Sequence, residues 1–292
     1  MEISSELTGT PLKEFSTEIS WRHTTNYAAA IQDSNPRYFD DERPDGLLAP
    51  PMFSVAVTWP VLERLWDFIE LDHFPREILT TQVHYSEHLR FHAPLRPGIR
   101  VRIRGKIAAI LPHRAGTHMV IRLDAEDQDG NAIFTEHIGG MMRGVRCLGE
   151  GAGKKTLPGT PESVGPAEPV WHHQVHIDPL LPYVYDGCSD IVFPIHTSPG
   201  FARQAGLPGI ILQGTATLAL AAREIVNREA DGNPERLKEL SCRFTGMVIP
   251  GTMITIQFLG SAKRKGYVDL FFQVLNHQGQ KALSRGYAII GV

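Results

Sequence analysis

Cysteine is scarce in this chain. Three occur in 292 residues, Cys147, Cys188 and Cys242, odd in number and far apart. That argues against a disulfide framework and for a reducing compartment. Charge of one sign is also lacking: 29 Lys and Arg stand against 32 Asp and Glu, a formal net charge of −3. Nothing in that balance makes an electrostatic footprint for nucleic acid. No uncharged apolar run is long enough to span a bilayer. The opening Met1-Glu2-Ile3-Ser4-Ser5-Glu6 has no basic-then-apolar leader pattern. A cytoplasmic protein with neither nucleic-acid nor membrane partner is expected. Hydrophobic residues make up 42% of the chain, enough for conventional cores, and 292 residues allow two domains.

What is present is a weak long-period repeat. Asp33-Ser34-Asn35-Pro36-Arg37-Tyr38, followed by Gly46 to Pro51, reappears as Asp190, Pro194-Ile195-His196 and Gly209 to Gly214. Pro36 and Pro194 are 158 positions apart, and Gly46 and Gly209 are 163 apart. Arg90-Phe91 through Pro97-Gly98 matches Arg243-Phe244 through Pro250-Gly251, 153 positions on. Asp127-Gln128-Asp129-Gly130 matches Asn276-His277-Gln278-Gly279, 149 positions on. Matches in one order with slowly drifting offsets predict two versions of one fold unit. The expected division is 1–148, a linker over 149–169 rich in Gly, Pro, Thr and Lys, and 170–292.

Each half reads as short helix, long helix, then about four strands. In the first half a helix is predicted from Thr24 to Ile31, capped by Thr24 or Thr25. A long helix over 52–69 follows, kinked at Pro60. Strands are predicted over 82–92, 101–110, 118–125 and 132–141. The second half repeats this with Ser198 to Ala205, Thr215 to Glu229, and strands near 239–246, 252–262, 266–275 and 281–291. Sequential hairpins imply an antiparallel sheet. A long apolar helix wrapped by one curved antiparallel sheet is the hot-dog arrangement, so the fold class is α+β with two hot-dog units.

The chemistry points to Phe193-Pro194-Ile195-His196 and the helix start at Gly214-Thr215. An imidazole of near-neutral pKa suits the addition of water to an activated double bond. The unpaired N–H groups of the helix start would polarise a thioester carbonyl and stabilise an enolate. Glycine at 214 lets a substrate approach the backbone closely. The first half has Tyr38 in place of His196, and a phenol of pKa about 10 is a poor base at neutral pH.

The second half resembles the MaoC-like, or (R)-specific enoyl-CoA hydratase, domains. The residues that carry it run from Tyr185 through Pro194-Ile195-His196, Ala202, Gly206, Ile210-Ile211-Leu212, Gly214 and Thr217 to Ala222-Arg223, with Ile249-Pro250-Gly251. Tyr27-Ala28, Asp33 to Tyr38 and Ala49-Pro50-Pro51-Met52-Phe53 look like the usually non-catalytic N-terminal domain of the double hot-dog members. The resemblance implies reversible hydration of a 2-enoyl-CoA to a (3R)-3-hydroxyacyl-CoA. It implies no metal or redox cofactor, coenzyme A being part of the substrate, and a first domain that receives the acyl chain. A carboxylate and a histidine share the water in that family. The family's carboxylate lies five positions before the histidine and its asparagine three before, but here those positions are Ile191 and Phe193. A slip or bulge would bring Asp190 beside His196. Alternatively Asp186 serves, or no acid does. Gln213 stands where the family often has histidine.

His196, Asp190 and the Gly214 N–H are thus the expected catalytic groups. Gln213, Thr215, Asp186, Tyr38, Arg223, Lys263 and Lys265 are the expected substrate contacts, the lysines and Arg223 as partners for coenzyme A phosphates. His172, His173 and His176 make a poor metal set, since 173 falls on the other strand face and no acid or cysteine completes it. His84, His88 and His92 are expected on one strand face, solvated or at an interface. Cys188 has no activating neighbour. A thioesterase on the same fold, or a non-catalytic acyl-CoA-binding subunit, are the competing readings. A homodimer is expected.

Overall fold

The computed structural model describes residues 1–71, 74–161 and 168–292. In the first half β1 (Glu2–Ser4) and β2 (Pro11–Glu18) precede α1 (Trp21–Ala30), α2 (Ser54–Glu63) and α3 (Leu65–Phe68). Then come β3 (Gln82–Phe91), β4 (Arg100–His113), β5 (Gly116–Glu126), β6 (Ala132–Arg143) and β7 (Arg146–Leu148). The second half runs β8 (Trp171–His176), α4 (Leu181–Ser189), α5 (Pro199–Gln204), α6 (Gly214–Glu229), β9 (Leu237–Phe244), β10 (Met253–Arg264), β11 (Tyr267–Leu275) and β12 (Lys281–Gly291).

Ten strands form one sheet in the order β2-β4-β5-β6-β3-β9-β12-β11-β10-β8, every pairing antiparallel. Each half therefore contributes five neighbouring strands, and β3 against β9 is the seam. Two long helices lie in the two concavities, which is the double hot-dog architecture. Helix α6 buries eleven of its sixteen residues, four of them alanines that let strands close in around it. Burying each of its Leu or Ile side chains stabilises the unit by roughly 1.5–3 kcal/mol.

Several expectations need correction in detail. Helix α1 begins three residues earlier than predicted, because Ser20 accepts the His23 N–H as the cap. Thr24 and Thr25 instead turn their hydroxyls back to the Trp21 carbonyl. The first long helix is interrupted at Arg64 (φ −119°, ψ 41°), four residues after Pro60, and not at the proline itself. Strands β2 and β8 and helix α4 were not anticipated as elements; β2 is an edge strand, largely exposed and with little apolar periodicity. Of the expected linker, Ala152 pairs with Ile110, Leu157 packs on Ala108 and Val120, and Thr160 reaches Ser241 at 3.3 Å. Residues 162–167 of that stretch fall outside the described residues.

The repeat is visible bond by bond. Leu48 N–H donates to the Arg37 carbonyl, as Ile211 N–H does to Ile195. Ala49 N–H donates to Leu95, as Leu212 N–H does to Val248. Gly98 and Gly251 donate to Ile19 and Ile177. The turns at Gly130 and Gly279 close on Asp127 and Asn276. Tyr27 and Tyr185, matched positions, meet hydroxyl to hydroxyl at 3.1 Å. That contact of a residue with its own counterpart marks the pseudo-two-fold axis between the halves. The matching places Tyr38 opposite His196, Pro51 opposite Gly214, Phe91 opposite Phe244 and Leu237 opposite His84.

Candidate active site

Helix α4 builds one wall of the site. It closes on Asp190, which takes a left-handed conformation (φ 56°, ψ 21°) and donates its N–H to the Asp186 carbonyl. This turn tips the Asp190 side chain outward and sends Ile191 into the core, 3% exposed. The Asp190 carboxylate is 78% exposed and lies 3.6 Å from His23 of the first half. The expected Asp190–His196 pair is therefore not formed: the residue that would have to turn inward is the one that ends the helix. Among the described residues no carboxylate lies within ion-pair distance of His196.

His196 itself ends the short turn Pro194–His196, whose start is fixed by the proline ring. Its Nδ1 lies 2.8 Å from the Ile211 carbonyl. A carbonyl only accepts, so Nδ1 carries the proton and Nε2 presents its lone pair. Burial pushes the imidazole down to about 4, partly opposed by that hydrogen bond. The ring is thus neutral at physiological pH and base-competent at Nε2.

Three residues beyond Ile211, α6 begins. Its N-cap, Gln213 (φ −55°, ψ 135°), makes no side-chain cap hydrogen bond. Gln213 is 1% exposed and donates from Nε2 to the Pro182 carbonyl at 3.0 Å, while its Oε1 is sealed and unpartnered. Thr215 is 6% exposed and neighbours Tyr185, whose hydroxyl burial pushes up to about 12. These two expected substrate contacts are struts that fix the helix start against α4. A Cβ at Gly214 would lie 2.9 Å from Phe244 Cδ1, so glycine is what lets that ring lie across the helix start. The first N–H groups of α6 remain for a ligand.

Asp186 lies on α4 one turn after Pro182, whose carbonyl anchors Gln213. Its Oδ1 is buried without a hydrogen-bond partner, and burial, then the neighbouring Asp190 charge, raises its pKa.

Other expected contacts are placed elsewhere. Tyr38 is 1% exposed and packed against Ala28 and Leu48, so no substrate reaches it. Arg223 donates from Nη1 to the Ile31 and Gln32 carbonyls and pairs with Glu224, which ties the halves together and leaves nothing for a phosphate. Lys263 and Lys265 are exposed at the β10–β11 hairpin, and among the described residues neither makes an ion pair. His84, His88 and His92 do not share one face, because the β3–β6 register shifts between His84 and Ser86. His88 bonds Glu239 at 2.9 Å, whereas His84 packs on Phe244, ring centroids 4.2 Å apart. Sequence spacing alone passes over Phe244, which lies on Gly214, and His84, which packs on Phe244; the repeat offset of 153 would have aligned them with Phe91 and Leu237.

The molecule is a double hot-dog protein in which one copy, and not the other, sets a histidine beside an open helix start. Its second half matches a MaoC like domain over residues 172–275, and its first half matches a FAS1-like dehydratase region over residues 6–136. The enoyl-CoA hydratase ChsH3 of Mycobacterium tuberculosis is 26% identical over 262 residues, 85% of this chain and 86% of that protein. The MaoC-like dehydratase of Phytophthora capsici superposes with a TM-score of 0.83 at 20% identity, covering 98% of this chain and 97% of its own. A Mycobacterium tuberculosis protein described as having a double hot-dog fold superposes at 0.62 with 12% identity, over 100% and 98% of the chains. At these identities the structural likenesses speak for the fold alone.

Proposed function

We propose that this protein catalyses the reversible addition of water to a 2-enoyl-CoA, giving a (3R)-3-hydroxyacyl-CoA. The observation that carries the reading is the tautomer of His196: with Nδ1–H held by the Ile211 carbonyl at 2.8 Å, Nε2 is a fixed, neutral base. It stands beside the uncapped start of α6. The thioester carbonyl accepts from the Gly214 N–H, His196 Nε2 removes the proton of a water, and hydroxide adds to C3. Asp186, whose Oδ1 is buried without a hydrogen-bond partner, is the carboxyl we assign to hold the same water. The step calls for neither metal nor redox cofactor, since the helix start supplies the electrophilic assistance. The first half receives the acyl chain, and its own copy of the site lacks a base. Kinship with ChsH3, an enoyl-CoA hydratase by name, supports this reading.

The test is a panel of enoyl-CoAs of increasing length and branching, followed by loss of enoyl absorbance and by chiral analysis of the product. Wild type is expected to consume at least one without releasing thiol, and His196→Gln to lose about 10²-fold or more in kcat. Thiol release would establish the thioesterase reading instead, and binding without turnover the non-catalytic one.

A further inference from the structure

The pseudo-two-fold exposes a residue that the family resemblance does not. In the first half a cavity of about 260 Å³ is lined by Ala49, Pro51, Phe91, Leu95 and Leu237. The repeat maps Ala49, Pro51, Phe91 and Leu95 onto Leu212, Gly214, Phe244 and Val248. It is the blind copy of the active cleft. By the same mapping the wall that Leu237 forms there is formed in the active copy by His84, delivered from the first half. The direct contacts agree: His84 lies on Phe244, and Phe244 lies on Gly214. His196 and His84 thus flank the start of α6, one through Ile211 and the other through Phe244.

His84 is built as an acid–base group. Its Nε2 is sealed and lies 3.1 Å from Glu87 Oε2, close enough for an ion pair but outside hydrogen-bond geometry, while the side chain as a whole is 24% exposed. Glu87 is 1% exposed and lies against Glu136, 0% exposed. The carboxylate oxygens of both acids find no donor, and the Thr58 hydroxyl nearby is directed to the Ser54 and Val55 carbonyls. Burial raises the pKa of both carboxyls, and for Glu136 the neighbouring Glu87 charge raises it further, so the protonated form is favoured at this pair. A solvent-sealed acid behind a part-exposed imidazole is the arrangement in which the acid fixes the ring and supplies or takes its proton. A leucine at this position, as in the blind copy, would need none of it.

We propose that His84 is a second catalytic residue of the hydratase, protonating C2, with Glu87 as its positioning residue and proton source. This rests on the hydratase reading. As hydroxide from the water held by His196 bonds to C3, the C2=C3 electron pair moves onto the thioester as an enolate held by the Gly214 N–H. The enolate then takes the Nδ1 proton of His84 at C2 while the Glu87 carboxyl passes its proton to Nε2. His196, which gained the water proton, releases it to solvent; His84 Nδ1 takes one from solvent as Nε2 returns its proton to Glu87. Dehydration runs the same transfers backwards.

The experiment uses the full chain and the enoyl-CoA that wild type turns over best, with the matching 3-hydroxyacyl-CoA deuterated at C2 for the reverse direction. His84→Gln is expected to lower kcat about 10²-fold with KM changed by less than about threefold, and to raise the C2 deuterium isotope effect as that transfer becomes limiting. Glu87→Gln is expected to raise the same isotope effect with about a tenfold loss in kcat. That variant carries the test if His84→Gln does not fold, since its amide is isosteric. Unchanged isotope effects, or a rise in KM alone, overturn the inference while wild-type turnover leaves the hydratase reading standing. Abolition of C2 exchange in Asp186→Asn with full exchange in His84→Gln overturns it too. A wild type that turns over no enoyl-CoA removes both.

Discussion

Replacing Gly214 by proline isolates one atom of the proposed machinery. The first half already contains the experiment: Pro50 (φ −54°, ψ 141°) precedes Pro51 at the matched helix start. Gln213 has nearly the same backbone, φ −55° and ψ 135°, which is what a residue before proline requires. Proline at the first helical position is favoured, and the N–H it removes has no partner inside the helix. The first intrahelical bond, Thr217 N–H to the Gln213 carbonyl at 3.1 Å, is untouched. Gly214→Pro should therefore fold. It does add a Cβ against Phe244, 2.9 Å from Cδ1 and 3.0 Å from Cε1, so Gly214→Ala is the control that shares this crowding and keeps the N–H. Loss of a single oxyanion donor costs about 2.7–4 kcal/mol of transition-state stabilisation, or about 10²–10³-fold in kcat. Alanine is expected to cost up to about tenfold, by displacing the Phe244 ring, and proline at least about 10²-fold more than alanine. The assay is steady-state enoyl-CoA hydration, with thermal unfolding as the folding check. Equal kcat in the alanine and proline variants would refute the assignment of the Gly214 N–H.

Asp190→Asn should leave kcat/KM within about twofold, as expected of a carboxylate so exposed and so far from His196; a large loss would mean that the α4 terminus rearranges around substrate. Arg223→Ala should lower stability by about 1.5–3 kcal/mol in denaturant titrations, because it strips the Ile31 and Gln32 carbonyls and the buried Glu224 of a charged donor. Activity per folded molecule should be unchanged, which a role in binding phosphate would not allow. His196 titrates near 4 when folded and near 6.5 when unfolded. The unfolded chain thus binds its proton first, and the stability this group contributes above pH 6.5 is lost as pH falls through 4. His196→Gln should make the stability decline between those values shallower by about 1.4 kcal/mol per pH unit, measured by denaturant unfolding at a series of pH values.

Much of the architecture was legible because hot-dog units are written in local signals. The apolar run before Glu63, the alanine-rich stretch after Gly214, and the turns at Asp127–Gly130 and Asn276–Gly279 depend on neighbours a few residues away. The histidine and its helix start were legible for the same reason. The acid partner was not. Whether Asp190 turns in or out depends on one left-handed backbone conformation at the end of α4, and an aspartate there is as good a helix terminator as it is a catalytic group. Arg223 and Tyr38 misled for a different reason. Their partners, the Ile31 carbonyl and the Ala28–Leu48 cluster, lie across the seam or across a turn, and no spacing rule reports what another segment brings. His84 was misassigned by a single bulge, which swaps the face of every residue before it.

The two copies diverge at positions that matter to one another. Where the second half has His196, Gly214 and, across the seam, His84, the first has Tyr38, Pro51 and Leu237. The proposed base, the proposed N–H donor and the facing imidazole have no counterpart at the first cavity, which has a volume of about 260 Å³. The first unit keeps the backbone frame and makes a contribution to the second. That contribution is physical: the Tyr27–Tyr185 contact on the axis, the Asn35 amide donating to the Gly232 carbonyl, the Arg96–Glu235 pair, and Arg90 and His88 gripping Glu239 across β3 and β9. Each bond spans the seam, and together they hold β3, and with it His84, in register against Phe244. A second unit expressed alone would expose that edge and lose a wall of its own cleft.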